Sequence, residues 1–161
     1  MASLLIIGGY LYQWVSERSI THDIQVAKCQ ISKSICMVNL DGDKSIEFSI
    51  TPRGIPTTQA LSLSVLTHGL DADDISVSFE GIEIDHHLPP YLLDKTDDGA
   101  YVGKGFLSLC VLDTMHWLAH VRIQEGSVIW RISFLRTLLQ IKSLHLVYCF
   151  LVHLFYLQAH F

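Results

Sequence analysis

Basic residues are few and dispersed: the eleven lysines and arginines of this 161-residue chain stand singly, from Arg18 to Lys142, with no two adjacent. Phosphate backbones are gripped by concentrated positive surface. With a net charge of −5 as well, nucleic acid is excluded as a partner class. The spacings that organise catalysis are missing too. There is no G-x-S-x-G nucleophile elbow, and Ser62, Ser64, Ser76 and Ser78 fall at outward positions of strand patterns. Gly8-Gly9 lacks the strand-to-helix context of a phosphate loop. The acidic runs Asp71 to Asp74 and Asp94 to Asp98 lack EF-hand spacing and read as turn formers. No enzyme is expected. Proline is scarce, and Pro52, Pro56, Pro89 and Pro90 all fall between strand patterns, where a missing backbone donor breaks no ladder.

Against this scarcity of charge, half of the residues are hydrophobic and the mean hydropathy is +0.35, high for a freely soluble domain and low for a polytopic membrane protein. The excess lies at the two ends. Met1 to Val15 carries no charged side chain, and Ser143 to Phe161 has no Asp, Glu, Lys or Arg. The first stretch is short of the ~20 residues that span a bilayer as a helix, and it lacks the basic opening of a signal peptide. Tyr10, Tyr12 and Trp14 sit where an interfacial aromatic belt falls. Residues 1–16 are therefore read as a membrane anchor helix whose start lies upstream of Met1, followed by a linker over 17–33. Residues 135–161 form an apolar, helical tail with three readings: a second span, a helix packed on the domain, or the product of an altered reading frame after Phe134. His145, His153 and His160 weigh against the span, because imidazole at membrane depth is costly.

Between the ends, residues 34–134 alternate with period two and are broken by turn residues roughly every 8 to 12 positions, as in a sandwich or barrel. Ile46, Phe48 and Ile50 alternate with polar neighbours, as do Leu61, Leu63 and Val65, and Ile75, Val77 and Phe79. Further strands are expected at Tyr101 to Gly103, at Phe106 to Leu112, at Trp117 to Ile123 and at Val128 to Phe134. Trp117, Ala119, Val121 and Ile123 lie on one face of theirs, with His116, Leu118, His120 and Arg122 on the other. About seven or eight short strands in a domain of this size predict an all-β, immunoglobulin-like antiparallel sandwich.

Two groups of side chains could carry chemistry. Asp85, His86 and His87 form a cluster of metal-capable groups in what reads as a loop, and imidazole suits copper, zinc or nickel. His116, His120 and Met115 are further ligand candidates, although two strand steps set the histidines about 13 Å apart, too far to share an ion easily. Cys29 and Cys36 could serve as a thiolate pair, with Met37 adjacent, or form a structural disulfide. Outside the cytoplasm, Cys110 is expected to pair with Cys29 or Cys36; inside it, the three would be core thiols or metal ligands.

Several of these stretches resemble the small membrane-anchored periplasmic proteins of the FixH and YtkA-like kind. The residues that carry the likeness are Arg53-Gly54-Ile55-Pro56, Ile75 to Phe79, the Asp98-Gly99 turn before Gly103 and Gly105, Leu107 to Val111, and Met115, Trp117, Ala119 and Val121. The likeness covers about 100 residues, in the size range of one such domain. It implies an N-terminal anchor in a bacterial inner membrane, an immunoglobulin-like domain facing the periplasm, no enzymatic activity, a partner that is another membrane protein, and for some members copper handling during assembly of respiratory oxidases. There are two departures. Family members carry a methionine-rich loop after the strand that here ends near Phe79, whereas Gly81 to Pro90 contains no methionine to hold a soft cuprous ion. Family members also end soon after the last strand, so residues 135–161 have no counterpart. Copper is the one cofactor implied.

Overall fold

A computed structural model describes residues 19–56, 59–83, 86–107 and 115–139. Among these the fold is all-β, without helix, and its ten strands are β1 (Ile20–Val26), β2 (Cys36–Asn39), β3 (Ser45–Thr51), β4 (Leu61–His68), β5 (Asp74–Gly81), β6 (His86–His87), β7 (Tyr91–Lys95), β8 (Ala100–Gly105), β9 (Met115–Glu125) and β10 (Val128–Leu139). They form one large sheet in the order β1-β10-β9-β5-β7-β8-β4-β3-β2, with β6 added beside β5. Every pairing is antiparallel except that of β1 with β10.

The period-two pattern dictates which residues fill the interior. Ile46, Phe48 and Ile50 of β3, Leu61, Leu63 and Val65 of β4, Ile75, Val77 and Phe79 of β5, and Trp117, Ala119, Val121 and Ile123 of β9 are all buried, as expected from their spacing. Trp130, Ile132 and Phe134 of β10 join them. Burying each such large side chain contributes roughly 1.5–3 kcal/mol. The sheet curls so that its two halves meet across this core, and the ring of Phe48 on β3 lies 5.2 Å from that of Phe134 on β10.

The two halves are joined through β7. Its first residues pair with β5, Tyr91 with Val77 and Leu93 with Ile75, and its last pair with β8, Asp94 with Val102 and Lys95 with Tyr101. Gly103 makes the close approach at this joint, since a Cβ there would fall 2.6 Å from Leu93 Cδ2 and 2.9 Å from the Leu92 carbonyl oxygen.

Three boundaries expected from sequence are corrected. The linker assigned to 17–33 contains β1, which pairs in parallel with β10 from Ile20↔Val128 to Val26↔Phe134, and it contains the fully buried Ile31. Its alternation was present in Ile20, His22, Ile24 and Val26. As an edge strand, however, it buries these only partly, and Asp23 and Gln25 dilute the signal. The domain does not stop at Phe134: β10 continues to Leu139, with a register shift after Phe134, and pairs with β9 back to Met115. Phe106 and Leu107, expected to begin a strand reaching Leu112, belong to none; residues 108–112 lie outside the described residues. The anchor at 1–16 and the tail from 140 onward also lie outside them. No described helix is long and apolar enough to cross a membrane.

Cys29 and Cys36 form a disulfide, with Cα atoms 5.8 Å apart, which corrects the expectation that either would pair with Cys110. The bond closes the connection between β1 and β2 over Ile31, and the Ser32 carbonyl accepts the Gly54 amide at 2.9 Å. Their closeness in sequence makes them natural partners once residues 31–33 turn. Cys110 lies outside the described residues. Cys29→Ser with Cys36→Ser is expected to lower stability by about 2.5 kcal/mol, the loop-closure entropy for a loop this short, as read from the urea midpoint.

Candidate functional site

The outward face of β5, β9 and β10 gathers a linked set of ionisable side chains. The register places Ser78, His120 and Ser133 directly opposite one another on the three strands. His120 Nδ1 lies 2.9 Å from Ser133 Oγ, and its Nε2 lies 3.0 Å from Glu80 Oε2. At one end of β9, His116 is held by Glu83: its ring contacts one carboxylate oxygen, and its backbone amide donates to the other at 2.8 Å. The turn after β5 delivers Glu83 there, with the Ile82 amide donating to the His116 carbonyl at 2.9 Å. Toward the other end, Arg122 donates to Asp74 at 3.2 Å and to Gln124 at 2.8 Å. Each outward cation-capable residue of β9 is thus tied to its own carboxylate from β5 or its turn.

Serine, imidazole and carboxylate in sequence make the same connections as an acyl-transfer triad, but the surroundings differ. Ser133, His120 and Glu80 sit on the middle of a sheet, where the neighbouring amides pair within the ladder and do not converge on a developing oxyanion. The arrangement pins β5, β9 and β10 together.

His116 and His120 therefore do not cooperate as ligands; each has a separate glutamate. His86 and His87, expected on a loop, form the two-residue strand β6, paired with Gly81 and Glu80 of β5. Asp85 lies outside the described residues. As the two halves of one disulfide, Cys29 and Cys36 have no thiolates to offer a metal, which corrects their assignment as metal ligands. Among the described residues, no three His, Cys, Asp or Glu side chains come together to hold an ion.

The two acidic runs act in turns. Asp71 pairs with Lys95 at 2.9 Å, Asp73 accepts the Gly126 amide at 2.6 Å, and Asp74 takes Arg122. Thr96 donates to both Asp98 and the Ala100 carbonyl, and Gly99 supplies the positive φ of 81° that closes that turn. The side chains and register that complete the network, Glu80, Glu83 and Ser133, carry no motif. Glu80 shares the outward parity of Ser76 and Ser78, but which strand would lie beside it is absent from the linear pattern.

These ties shift carboxylates in one direction. Hydrogen bonds from the His116 side chain and then its backbone hold Glu83 below its ordinary value of 4.5. A hydrogen bond and the charge of Lys95 hold Asp71 below 3.8, and the Thr96 hydroxyl does the same for Asp98. A carboxylate depressed in the folded state stabilises fully above its unfolded value, and that contribution is lost as pH falls through the folded one. Stability is therefore expected to fall as pH drops below the ordinary carboxylate range. Glu83→Gln is expected to make the decline shallower in urea melts taken from pH 6 downward.

No protein-family model, curated protein or solved structure matches this chain.

Proposed function

We propose that the chain is an extracytoplasmic accessory domain, folded as an immunoglobulin-like sandwich and held at a bacterial inner membrane facing the periplasm, that binds another membrane protein and catalyses no reaction. The observation that carries this reading is the Cys29–Cys36 disulfide, because such bonds form and persist in oxidising compartments and are rare in the cytosol. Uncharged stretches at Met1 to Val15 and Ser143 to Phe161 support attachment to lipid. The parallel β1–β10 edge, the joint at β7 and the meeting of Phe48 with Phe134 support the sandwich. The resemblance to FixH and YtkA-like proteins points to assembly of a respiratory membrane complex as the setting.

Protease treatment of spheroplasts expressing the full chain tests this reading. The domain is expected to be digested from outside and, without protease, to stay with membranes after a carbonate wash. Full protection until lysis, with the chain in the soluble fraction, would refute it. The competing reading as a copper carrier keeps only Asp85, His86 and His87 as ligands, since the cysteines are oxidised. Binding of one copper ion that disappears in His86→Ala with His87→Ala would favour that reading; no stoichiometric uptake is expected.

A further inference from the structure

β1 and β2 end the sheet order, one in each of its halves, and no ladder joins them. They stand side by side and run in opposite directions. Near one end His22 Nδ1 lies 3.6 Å from Oδ2 of Asp41, just beyond β2, and near the other the Cys29–Cys36 disulfide ties the exit of β1 to the entry of β2. These two ties put Gln25 level with Asn39 and Val26 level with Val38. Each strand keeps one row of backbone groups on its open side. The Leu40 amide donates to Lys44, just before β3, so by alternation Met37 and Asn39 turn their backbone groups away from β3. The Ile20 amide donates to Ser127, just before β10, so Thr21, Asp23 and Gln25 turn theirs away from β10. The devices that blunt an edge are sparse here. Neither strand holds a proline or a lysine, β2 has no charged residue, and the one carboxylate of β1, Asp23, lies opposite Arg131 of β10. Met37 is 65% exposed and Ile35, just before β2, is 53% exposed.

We infer that these two open edges form the interface of a symmetric dimer with a second copy of this chain. A two-fold axis parallel to the strands leaves every strand direction unchanged and sets β1 of each copy beside β2 of the other. Because β1 and β2 run oppositely within a chain, both new ladders are antiparallel. The same axis keeps each residue at its level. Gln25 therefore meets Asn39 of the second copy, with the open backbone groups of both turned toward each other and both side chains on the outward face. Half-buried Val26 meets buried Val38 on the inward face. Beyond Gln25 the ladder reaches Asp23 and Asp41, each with its own cation-capable neighbour, Arg131 and His22. The length of β2 favours a second copy over a lone added strand: its four residues offer one short ladder, whereas a second copy repeats that ladder at β1 and closes both ends of the sheet order. The inference rests on the sandwich proposed above, and it is independent of membrane attachment. It agrees with attachment all the same, because the axis brings both chains into β1 at the same end.

Sedimentation of the full chain in detergent, followed through a dilution series, tests the pairing. Two copies per particle are expected. Gln25→Lys with Asn39→Lys sets two cations opposite each other in both ladders, at exposed positions, and is expected to weaken association on the order of tenfold while leaving the urea midpoint of the single copy unchanged. Cross-linking then reports the register, in chains that also carry Cys110→Ser and Cys149→Ser. A chain with Gln25→Cys mixed with one bearing Asn39→Cys is expected to give a linked pair on mild oxidation, and neither alone is expected to give one. A single copy at every dilution, a pair that the double lysine change does not weaken, or a link between two Asn39→Cys chains would overturn the dimer and leave the sandwich standing. A bond closed within one chain bearing both cysteine changes would overturn the sandwich as well, because facing layers stand about 10 Å apart, beyond the reach of a disulfide.

Discussion

Trp117→Ala is expected to lower stability by about 3–5 kcal/mol, the range for truncating a buried aromatic that leaves a cavity the surroundings cannot fill. Among the described residues Trp117 is the largest fully buried side chain, on the interior strand β9 between β10 and β5, with Gly81 opposite it on β5. No Cβ from Gly81 occupies the space beside the indole, so little can relax into the void. The urea midpoint measures the effect, with Leu92→Ala as control: Leu92 is 71% exposed and its truncation is expected to change stability by less than about 0.5 kcal/mol. Equal midpoints for the two variants would mean that the inward and outward faces of β9 are reversed.

Gly103→Val is expected to cost about 3 kcal/mol or more, by overpacking. At this position the added Cβ meets the Leu92 carbonyl oxygen at 2.9 Å as well as the Leu93 side chain. The side chain could turn away, but the backbone oxygen belongs to β7, the strand that joins the two halves of the sheet. Forcing β7 from β8 therefore strains the joint itself, and loss of the near-ultraviolet signal of the buried tryptophans is expected at lower urea than in the unchanged protein. A variant as stable as the parent would show that β7 and β8 are not so close. The two effects are expected to add within about 0.5 kcal/mol only if Trp117 and Gly103 do not share a cavity wall, and the double variant measures this.

What could be read from the linear chain follows from which signals are local. The central strands announce themselves because their alternation is complete: Ile46-Glu47-Phe48-Ser49-Ile50 and Ile75-Ser76-Val77-Ser78-Phe79 each put an apolar group on every inward position. β7 escaped because Leu93 is its single buried residue while Leu92 beside it faces solvent, so the pattern resembles a short apolar run. β6, two residues long, has no period to detect. β1 was hidden by its place at an edge, where half-buried Ile24 and Val26 tolerate polar neighbours. Register was the greater loss. His116 and His120 were correctly placed on one outward face. That Glu83 and Glu80 would claim them depends on β5 lying beside β9, a contact between residues more than thirty positions apart. Which of the cysteine readings holds was likewise a matter of contact: the turn at 31–33 brings Cys29 to Cys36 and so selects their disulfide over a pairing with Cys110, and nothing in a C-x6-C spacing requires that turn.

The same registers gather the acidic turns. Asp41, Asp71 and Asp97 are scattered through the sequence and meet only because four separate turns fall at one end of the sheet. Between the ends, the outward face of β9 is laced by three carboxylate ties, which contribute little individually on a solvated surface. Their fixed spacing leaves a polar face on this part of the sheet.

Thiol labelling in intact cells tests the extracytoplasmic assignment most directly. Cells expressing the full chain are quenched with acid, exposed thiols are blocked, and the membrane fraction is then reduced and relabelled. Cys29 and Cys36 are expected to take label only after reduction, in protein that sediments with membranes. If both cysteines instead label before reduction, in protein recovered from the cytosol, the disulfide does not form in the cell and the placement at the periplasmic face of a membrane is wrong.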